Sequence, residues 1–386
     1  TINASEPLYV IDGFIGAGDL NLIDPNDIES IEILKDAAAT SIYGSRGANG
    51  VIIVTTKRGS EGRNDVTVNA YVGVQQIAKR LEMLNAREYA VMLNQQDVLS
   101  NQEPSIENPS VYGKGTDWQD EILRLAFMQN YQVAASGGNK DGRYYLSLSM
   151  FDQDGVIKNS GIRRYQTRLN LDRKMRHNIN IGANFQFSYT QREPNLVSLG
   201  GFDYQSSALA TPPTMNIYNE DGSYASDSPS RVVSNDIDNV VAQLNERKKQ
   251  EKAASIYAGI FAEWEAIKDL KFKTFLGLNA GTNKTSEYKS SMLPTMRQNK
   301  IKGEAWINQR WGVIRNQGES YSILWENTVN YMKEVAKGHH ITALLGYTLQ
   351  TSRSEGLSLY GKNFTNDLLT WNNLADSETS TRLVGS

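Results

Sequence analysis

The sequence predicts a mainly β protein, part of a transmembrane antiparallel β-barrel that is preceded by part of a small α+β unit. Two observations predict this fold. From about residue 66 onward, apolar and polar residues alternate along nine segments, as they do on the two faces of a strand. The links between these segments are short and long in turn, which is typical of bacterial outer-membrane barrels. The first sixty residues lack this rhythm and mix strand signals with helix signals.

The composition narrows the functional classes. The 386 residues carry 40 Lys+Arg against 43 Asp+Glu, so no broad positive charge predicts a nucleic-acid partner. The absence of cysteine excludes disulfides and thiolate chemistry, and three histidines leave little for a metal site. We therefore expect no cofactor and no metal. A helix that spans a membrane needs about 20 mostly apolar residues, and the apolar runs of this sequence are much shorter.

The first sixty residues predict alternating strands and helical turns. Pro7 to Gly13 is rich in β-formers and ends in an Asp-Gly turn signal. Asp24-Pro25 predicts a capped helical turn that leads into a strand, and Asp36 can cap a helix from Ala37 to Tyr43 that Gly44 ends. A β-branched strand follows over residues 50 to 57. The glycines of 44–50 suggest a phosphate loop, but no Gly-Lys-Ser/Thr follows them, so a tight connection with positive φ angles is favoured.

The same segment closely resembles the later plug motifs of the SusC/RagA family of TonB-dependent outer-membrane transporters. The resemblance rests on PLYVIDG, NDIESIEILKD, AAATSIYGSRGANG and VIIVTTKRG, which begin at Pro7, Asn26, Ala37 and Val51. The continuous string IYGSRGANGVI points to the SusC branch. It implies that residues 1–60 are the C-terminal part of a plug domain and that residues 61–386 are the N-terminal part of the barrel. The family's early plug and TonB-contacting segment have no counterpart here.

The alternation predicts individual strands and their faces. Ile179, Phe185 and Phe187 share one face, whereas Asn184 and Gln186 share the other. Aromatic residues near strand ends, such as Tyr165, Tyr189, Trp264 and Tyr347, suit a membrane interface. The nine predicted strands lie at about 66–76, 130–137, 143–152, 163–174, 177–190, 253–265, 270–282, 321–332 and 339–352.

The lengths of the links predict which end of the barrel faces the outside of the cell. Short links near residues 138–142, 175–176, 266–269 and 334–338 alternate with long links at 77–129, 153–162, 191–252 and 283–320, and the long ones are predicted to be extracellular. Nine strands do not close a barrel, and Asn372 to Ser386 is interpreted as loop-like. The family resemblance continues from Trp118 to Arg192 and implies a 22-stranded barrel, so more than half of the strands would lie outside this chain.

The resemblance also implies a function. Members of the family take up oligosaccharides or peptides across the outer membrane of Gram-negative bacteria. The implied partners are the TonB complex, a SusD-like surface lipoprotein that covers the barrel, the cargo and outer-membrane lipid. No chemistry on the cargo is implied, so the chain is not expected to be an enzyme.

Two other functions remain open from the residues alone. A β-rich hydrolase, secreted or of the outer membrane, could use paired carboxylates such as Glu263 and Glu265, but no Gly-x-Ser-x-Gly or His-Glu-x-x-His motif is present. His339 and His340 are adjacent in a strand and point to opposite faces, which disfavours a shared metal. A soluble β-sandwich that binds glycans would bury Arg168 and Asp172 in a dry core, which is costly without partners.

The candidate cargo or lid contacts are aromatic residues in the long links. Aromatic rings among Asn, Ser, Asp and Gly can stack on sugar rings or contact peptides, although such rings also pack loops against each other. The candidates are Phe202, Tyr204, Tyr218, Tyr224, Trp306 and Trp311.

Overall fold

The computed structural model forms two β-sheets. It describes residues 7–15, 20–36, 40–176, 178–197, 207–225, 239–293, 312–336, 339–362, 364, 367–372, 374 and 378–385. Within these ranges no helix is long and apolar enough to cross a membrane.

The first sheet has four strands in the order β2-β1-β4-β3. Its strands are β1 (Leu8–Ile11), β2 (Phe14–Ile15), β3 (Ile28–Leu34) and β4 (Val51–Thr56). β1 runs parallel to β4, and the other neighbours are antiparallel. β4 lies inside the sheet because its β-branched residues can pack on both faces, and Val51 and Val54 are fully buried.

The turns of this sheet follow the predicted caps. The Asp24 side chain accepts a hydrogen bond from the Asn26 amide, and the 3-10 turn Pro25–Asp27 leads directly into β3. Gly44 and Gly50 have φ angles of 59° and 91°, as predicted for a tight connection. The prediction that Gly44 ends a helical segment is confirmed, because its φ of 59° and ψ of −147° are not helical and separate two short turns within Ser41–Gly47. Residues 37–39 of that predicted helix lie outside the described residues.

The second sheet is an antiparallel meander of ten strands in sequence order. Each strand pairs with the next through an uninterrupted register, apart from single shifts near the turn ends of three pairs. The strands are β5 (Asn64–Gln75), β6 (Ala126–Gly138), β7 (Gly142–Asp154), β8 (Gly161–Arg176), β9 (Ile179–Glu193), β10 (Arg247–Ile267), β11 (Leu270–Lys289), β12 (Gly312–Ala336), β13 (His339–Lys362) and β14 (Glu378–Gly385).

All nine predicted strands are present, and most are longer than predicted. The tenth strand, β14, occupies the end of the stretch that was interpreted as loop-like, so that prediction is wrong. Glu378–Gly385 pairs with β13 from Lys362 back to Glu355. This pairing uses backbone hydrogen bonds, which require no apolar alternation in the added strand.

The links follow the predicted rhythm. Short turns join β6 to β7, β8 to β9, β10 to β11 and β12 to β13, all at one end of the sheet. The long links at the opposite end contain α1 (Ala86–Leu99), α2 (Trp118–Ile122) and α3 (Val240–Glu246). They share a hydrophobic core of their own, which includes Trp118, Ile122, Leu123, Ile157, Val197, Ala208, Met215, Ala225, Val240, Val241 and Leu244.

The four-stranded sheet packs on one face of the ten-stranded sheet. We call this face the inner face and the opposite one the outer face. A shared hydrophobic cluster joins Ile11, Phe14 and Val54 of the small sheet to Tyr257, Phe275 and Leu324 of the large one. The predicted faces of β9 are confirmed in part, since Asn184 and Gln186 are buried on the inner face and Phe185 is exposed on the outer face.

Candidate functional site

The candidate site is the junction between the two sheets, and its first attachment is Asp27. The 3-10 turn places this carboxylate under β6 and β7, where it is 2% exposed. It accepts hydrogen bonds from Gln132 Nε2 at 2.8 Å, Tyr145 Oη at 2.7 Å and Ser147 Oγ at 2.8 Å. A buried carboxylate requires such donors, because an unpaired one would pay a large desolvation cost. Asp27 can therefore be buried only where β6 and β7 supply these donors, which fixes the position of the small sheet on the wall.

The second attachment is a buried ion pair. Arg168 on β8 is 1% exposed, and its Nη1 lies 3.0 Å from Asp12 Oδ2. The Thr56 hydroxyl donates to Asp12 at 2.7 Å and accepts from Arg168 and from Asn170 Nδ2, each at 2.9 Å. Arg168 lies buried on the inner face. Its Nη1 contacts Asp12 and Thr56 of the small sheet and its Nη2 donates to Gln186 on β9, whereas its Nε has no hydrogen-bond partner among the described residues.

Further polar contacts flank this pair. Gln166 Nε2 donates to the Leu22 carbonyl at 2.6 Å, and Gln186 on β9 donates to the same carbonyl. Arg58, in the segment after β4, donates to Asp172 and to Asn184. The wall strands β8 and β9 thus bind the Leu22 carbonyl, which precedes β3, and the Arg58 side chain, which follows β4.

The third attachment is an aromatic one. Phe14 is fully buried against the inner face of β10 and β11, with ring centroids 5.2 Å from Tyr257 and 6.2 Å from Phe275. Gly277 provides the space, because a Cβ built on it would lie 2.3 Å from the Phe14 ring. Edge-to-face contacts of this kind add to the energy of burial.

Beyond the small sheet, the inner face of β12 and β13 towards the long links is polar and mostly uncharged, whereas on β9–β11 it carries ion pairs such as Arg247–Glu287. Ser322 and Ser320 share the face of Leu324, which lies under Phe14, and Ser352 Oγ donates to Ser322 Oγ at 2.9 Å. Ser358 Oγ donates to Asn316 Oδ1 at 2.8 Å. This wall was missed from the sequence, although the spacing of Gln350, Ser352, Ser354 and Ser358 is a strand period and could have predicted it. Hydroxyl and amide groups can exchange hydrogen bonds with a neutral polar ligand.

Two of the six predicted aromatic contacts lie in the described residues. Tyr218 and Tyr224 face each other across an isolated bridge, with ring centroids 5.1 Å apart. The Tyr224 ring packs on the core of the long links and its hydroxyl donates to Glu246 at 3.2 Å, whereas Tyr218 is 48% exposed. Phe202, Tyr204, Trp306 and Trp311 lie outside the described residues. Among the described residues, no group of three or more His, Asp or Glu could hold a metal ion.

The Asp27 attachment is expected to weaken as the pH rises. Burial raises the pKa of the Asp27 carboxyl above its ordinary value of 3.8, and the hydrogen bonds from Tyr145 and Ser147 only partly offset this shift. A group whose pKa is higher in the folded protein contributes stability that is present below the unfolded pKa and lost as the pH rises through the folded pKa. Asp27→Asn should therefore reduce the loss of plug stability that accompanies a rise in pH above 3.8.

The measurement is the urea midpoint at which a cysteine placed at Val54, which is buried at the junction, becomes reactive in the full-length protein. It is repeated across the acid range, with and without Asp27→Asn. The same pH dependence in both proteins would assign the titration to another group.

Comparison with known proteins agrees with this arrangement. Residues 2–51 match the TonB-dependent Receptor Plug Domain model. TonB-dependent receptor P3 of Formosa agariphila is 33% identical over 380 residues, which are 97% of this chain and 35% of that protein. TonB-dependent receptor SusC of Bacteroides thetaiotaomicron is 35% identical over 237 residues, which are 58% of this chain and 22% of that protein. The chain spans about a third of the length of receptor P3.

The fold likeness covers nearly the whole chain. The RagAB peptide transporter superposes with a TM-score of 0.77 at 22% identity, over 99% of this chain and 46% of that chain. The chain therefore has the fold of a plugged β-barrel receptor, in which the four-stranded sheet belongs to the plug and the ten-stranded sheet to the barrel wall. It is a TonB-dependent receptor chain of the SusC/RagA type.

Proposed function

We propose that this chain is part of a transporter that imports nutrients across the outer membrane of a Gram-negative bacterium. Residues 1–60 would supply part of the plug and residues 61–386 part of the barrel. The observation that carries the proposal is the junction itself. The plug sheet sits on the inner face, where cargo would pass, and is held by polar attachments to β6–β9 and β13 and by one aromatic ring. Such a plug can be displaced without unfolding the wall, and the TonB complex would supply the force.

The cargo we propose is an oligosaccharide or a peptide. The uncharged wall formed by Ser320, Ser322, Ser352 and Ser358 offers hydroxyl groups above the plug, and the Gln350 amide joins this wall to Arg46 of the plug. Tyr218, whose ring is exposed, is the better placed of the two described aromatic candidates to contact cargo, while Tyr224 supports it. Phe202, Tyr204, Trp306 and Trp311 remain proposed contacts. RagAB, which shares the fold, is described as a peptide transporter.

The partner we propose is a SusD-like surface lipoprotein at the end of the long links. These links form a layer with its own core, so they present a defined surface rather than separate loops. A groove of about 690 Å³ in this layer is lined by Tyr89, Met92, Trp118 and Pro212 among others. The transport proposal involves no catalytic step on the cargo.

A reversible cross-link between plug and wall tests the proposal. In the full-length protein, Thr56→Cys is combined with Asn170→Cys, because the two side chains are within 2.9 Å of each other. The control pair is Leu148→Cys with Thr167→Cys, which lie opposite each other on β7 and β8 and link wall to wall only. Uptake of a labelled oligosaccharide and a labelled peptide is compared with the disulfide oxidised and reduced.

Oxidation is expected to abolish uptake through the plug-to-wall pair, with recovery on reduction, and to leave the control pair unchanged. Transport at the parental rate with the plug-to-wall disulfide fully formed would contradict a plug that must move away from β8. The reduced form of the same variant corrects for any effect of the substitutions.

A further inference from the structure

The outer face of β10–β13 carries an apolar belt. Tyr257, Phe275 and Leu324 face the plug, so residues of opposite parity on these strands face outward. In the belt these residues are large, apolar and exposed. They include Ile256, Ile260 and Trp264 on β10, Phe272, Leu276 and Leu278 on β11, Tyr321, Ile323 and Trp325 on β12, and Ile341, Leu345, Tyr347 and Leu349 on β13.

The strands extend well past this belt towards the long links. β10 to β13 have 21, 20, 25 and 24 residues, whereas a tilted strand needs only about 9 to 11 to cross a membrane. Beyond the belt, most outward positions are polar. Lys252 and Gln250 follow Ile256 on β10, and Lys284 follows Leu278 on β11. The belt edge therefore marks where the hydrocarbon of the membrane ends on this side.

Three cations cluster four to six residues beyond that edge on three adjacent strands. Lys252 on β10 is directly opposite Lys284 on β11, and Arg315 on β12 is opposite Ser286, which places it diagonally beside Lys284. We call these three residues the basic patch. Like charges directly opposite each other in a sheet destabilise it. The arrangement needs a compensating anion.

The described residues do not supply that anion. None of the three cations has a carboxylate within ion-pair distance among them, whereas other outward arginines do: Arg353 is paired with Glu355 and Arg163 with Asp152. Glu319 shares this face and is in register with Thr282, two residues from Lys284, but makes no ion pair with the patch. The patch is thus a positive site without an ion-pair partner among the described residues.

We propose that the basic patch binds the phosphate of a lipid headgroup in the leaflet on the side of the long links. The inference rests on the proposed membrane placement of the wall. Headgroups lie outside the hydrocarbon, on the side of the belt where the patch lies, and basic side chains there attract anionic lipid. Two ammonium groups and a guanidinium can make several charge-assisted hydrogen bonds to one phosphate. The patch would fix a lipid on the wall beside β10–β12.

The test uses the full-length protein, purified in detergent and stripped of lipid. Binding of bis-phosphorylated lipid A is measured by native mass spectrometry, beside its dephosphorylated form and inorganic phosphate. The variant combines Lys252→Gln, Lys284→Gln and Arg315→Gln. The matched control is Lys333→Gln, an exposed outward lysine of β12 on the other side of the belt.

The triple variant is expected to bind the phosphorylated lipid about tenfold more weakly or worse, since several charge-assisted hydrogen bonds are lost, while Lys333→Gln binds as the parent does. Equal binding by the triple variant would overturn the proposal, as would equal affinity for the dephosphorylated lipid. Inorganic phosphate that binds as tightly as the lipid would reassign the patch to a free anion. Uptake is assayed separately, so a failure of transport with normal lipid binding counts against the proposed function alone.

Discussion

Replacing Arg168 with methionine is expected to weaken the seating of the plug by about 3 to 5 kcal/mol, because it leaves a buried carboxylate without its cation. The Asp12 side chain is 1% exposed and would keep only the hydrogen bonds from Thr56. The measurement is the urea midpoint at which a cysteine at Val54 becomes reactive in the full-length protein.

Two further variants distinguish the loss of the buried ion pair from a nonspecific effect of replacing an arginine. Arg163→Met removes an outward arginine that is half exposed and paired with Asp152, so its effect should be at most about 1 kcal/mol. Asp12→Asn added to Arg168→Met should recover part of the loss, because the amide carries no charge and asparagine tolerates the positive φ of 49° at this position. A parental urea midpoint for Arg168→Met would show that the pair does not hold the plug.

Phe14→Ala is expected to cost about 3 to 5 kcal/mol of plug seating, the usual range for removing a fully buried aromatic side chain. The cavity would lie between Tyr257, Phe275 and Gly277, whose strands belong to a rigid meander and cannot easily close it. The same cysteine reporter at Val54 measures the loss.

The control is Phe127→Ala, which removes an equal side chain that is 63% exposed on the outer face of β6. An independent check enlarges the wall instead. Gly277→Ala should displace Phe14, while Gly281→Ala, on the same face of the same strand, meets no atom closer than 3.4 Å and should be tolerated. If the two alanines behave alike, Phe14 is not seated as described.

The wall could be predicted from the sequence because its strands repeat one local rule. Alternation at Asn184, Phe185 and Gln186 correctly assigned the buried and exposed sides of β9. The same rule predicted strands that are too short, because it placed their ends too early. β10 was predicted to begin at residue 253 but begins at Arg247, because outward residues such as Lys248 and Lys252 are polar beyond the belt and the contrast between the faces disappears while pairing continues.

The plug attachments could not be predicted, because they depend on partners far away in the chain. Asp12 was interpreted only as part of a turn signal, yet its cation, Arg168, is 156 residues away. Asp27 was part of a family motif, and its donors lie 105 to 120 residues further on. A local pattern shows that such a carboxylate exists, but not which strand will face it.

The spacing of the attachments along the wall has a consequence for the order of folding. The wall is a meander, so each strand can add to the one before it through contacts that are close in sequence. Asp27 needs only β6 and β7, Asp12 needs β8, and Phe14 needs β10 and β11. We therefore expect the plug to be captured stepwise as the wall lengthens, with the Asp27 contacts forming first, the Phe14 contacts later, and the hydrogen bond from Arg46 to Gln350 on β13 last.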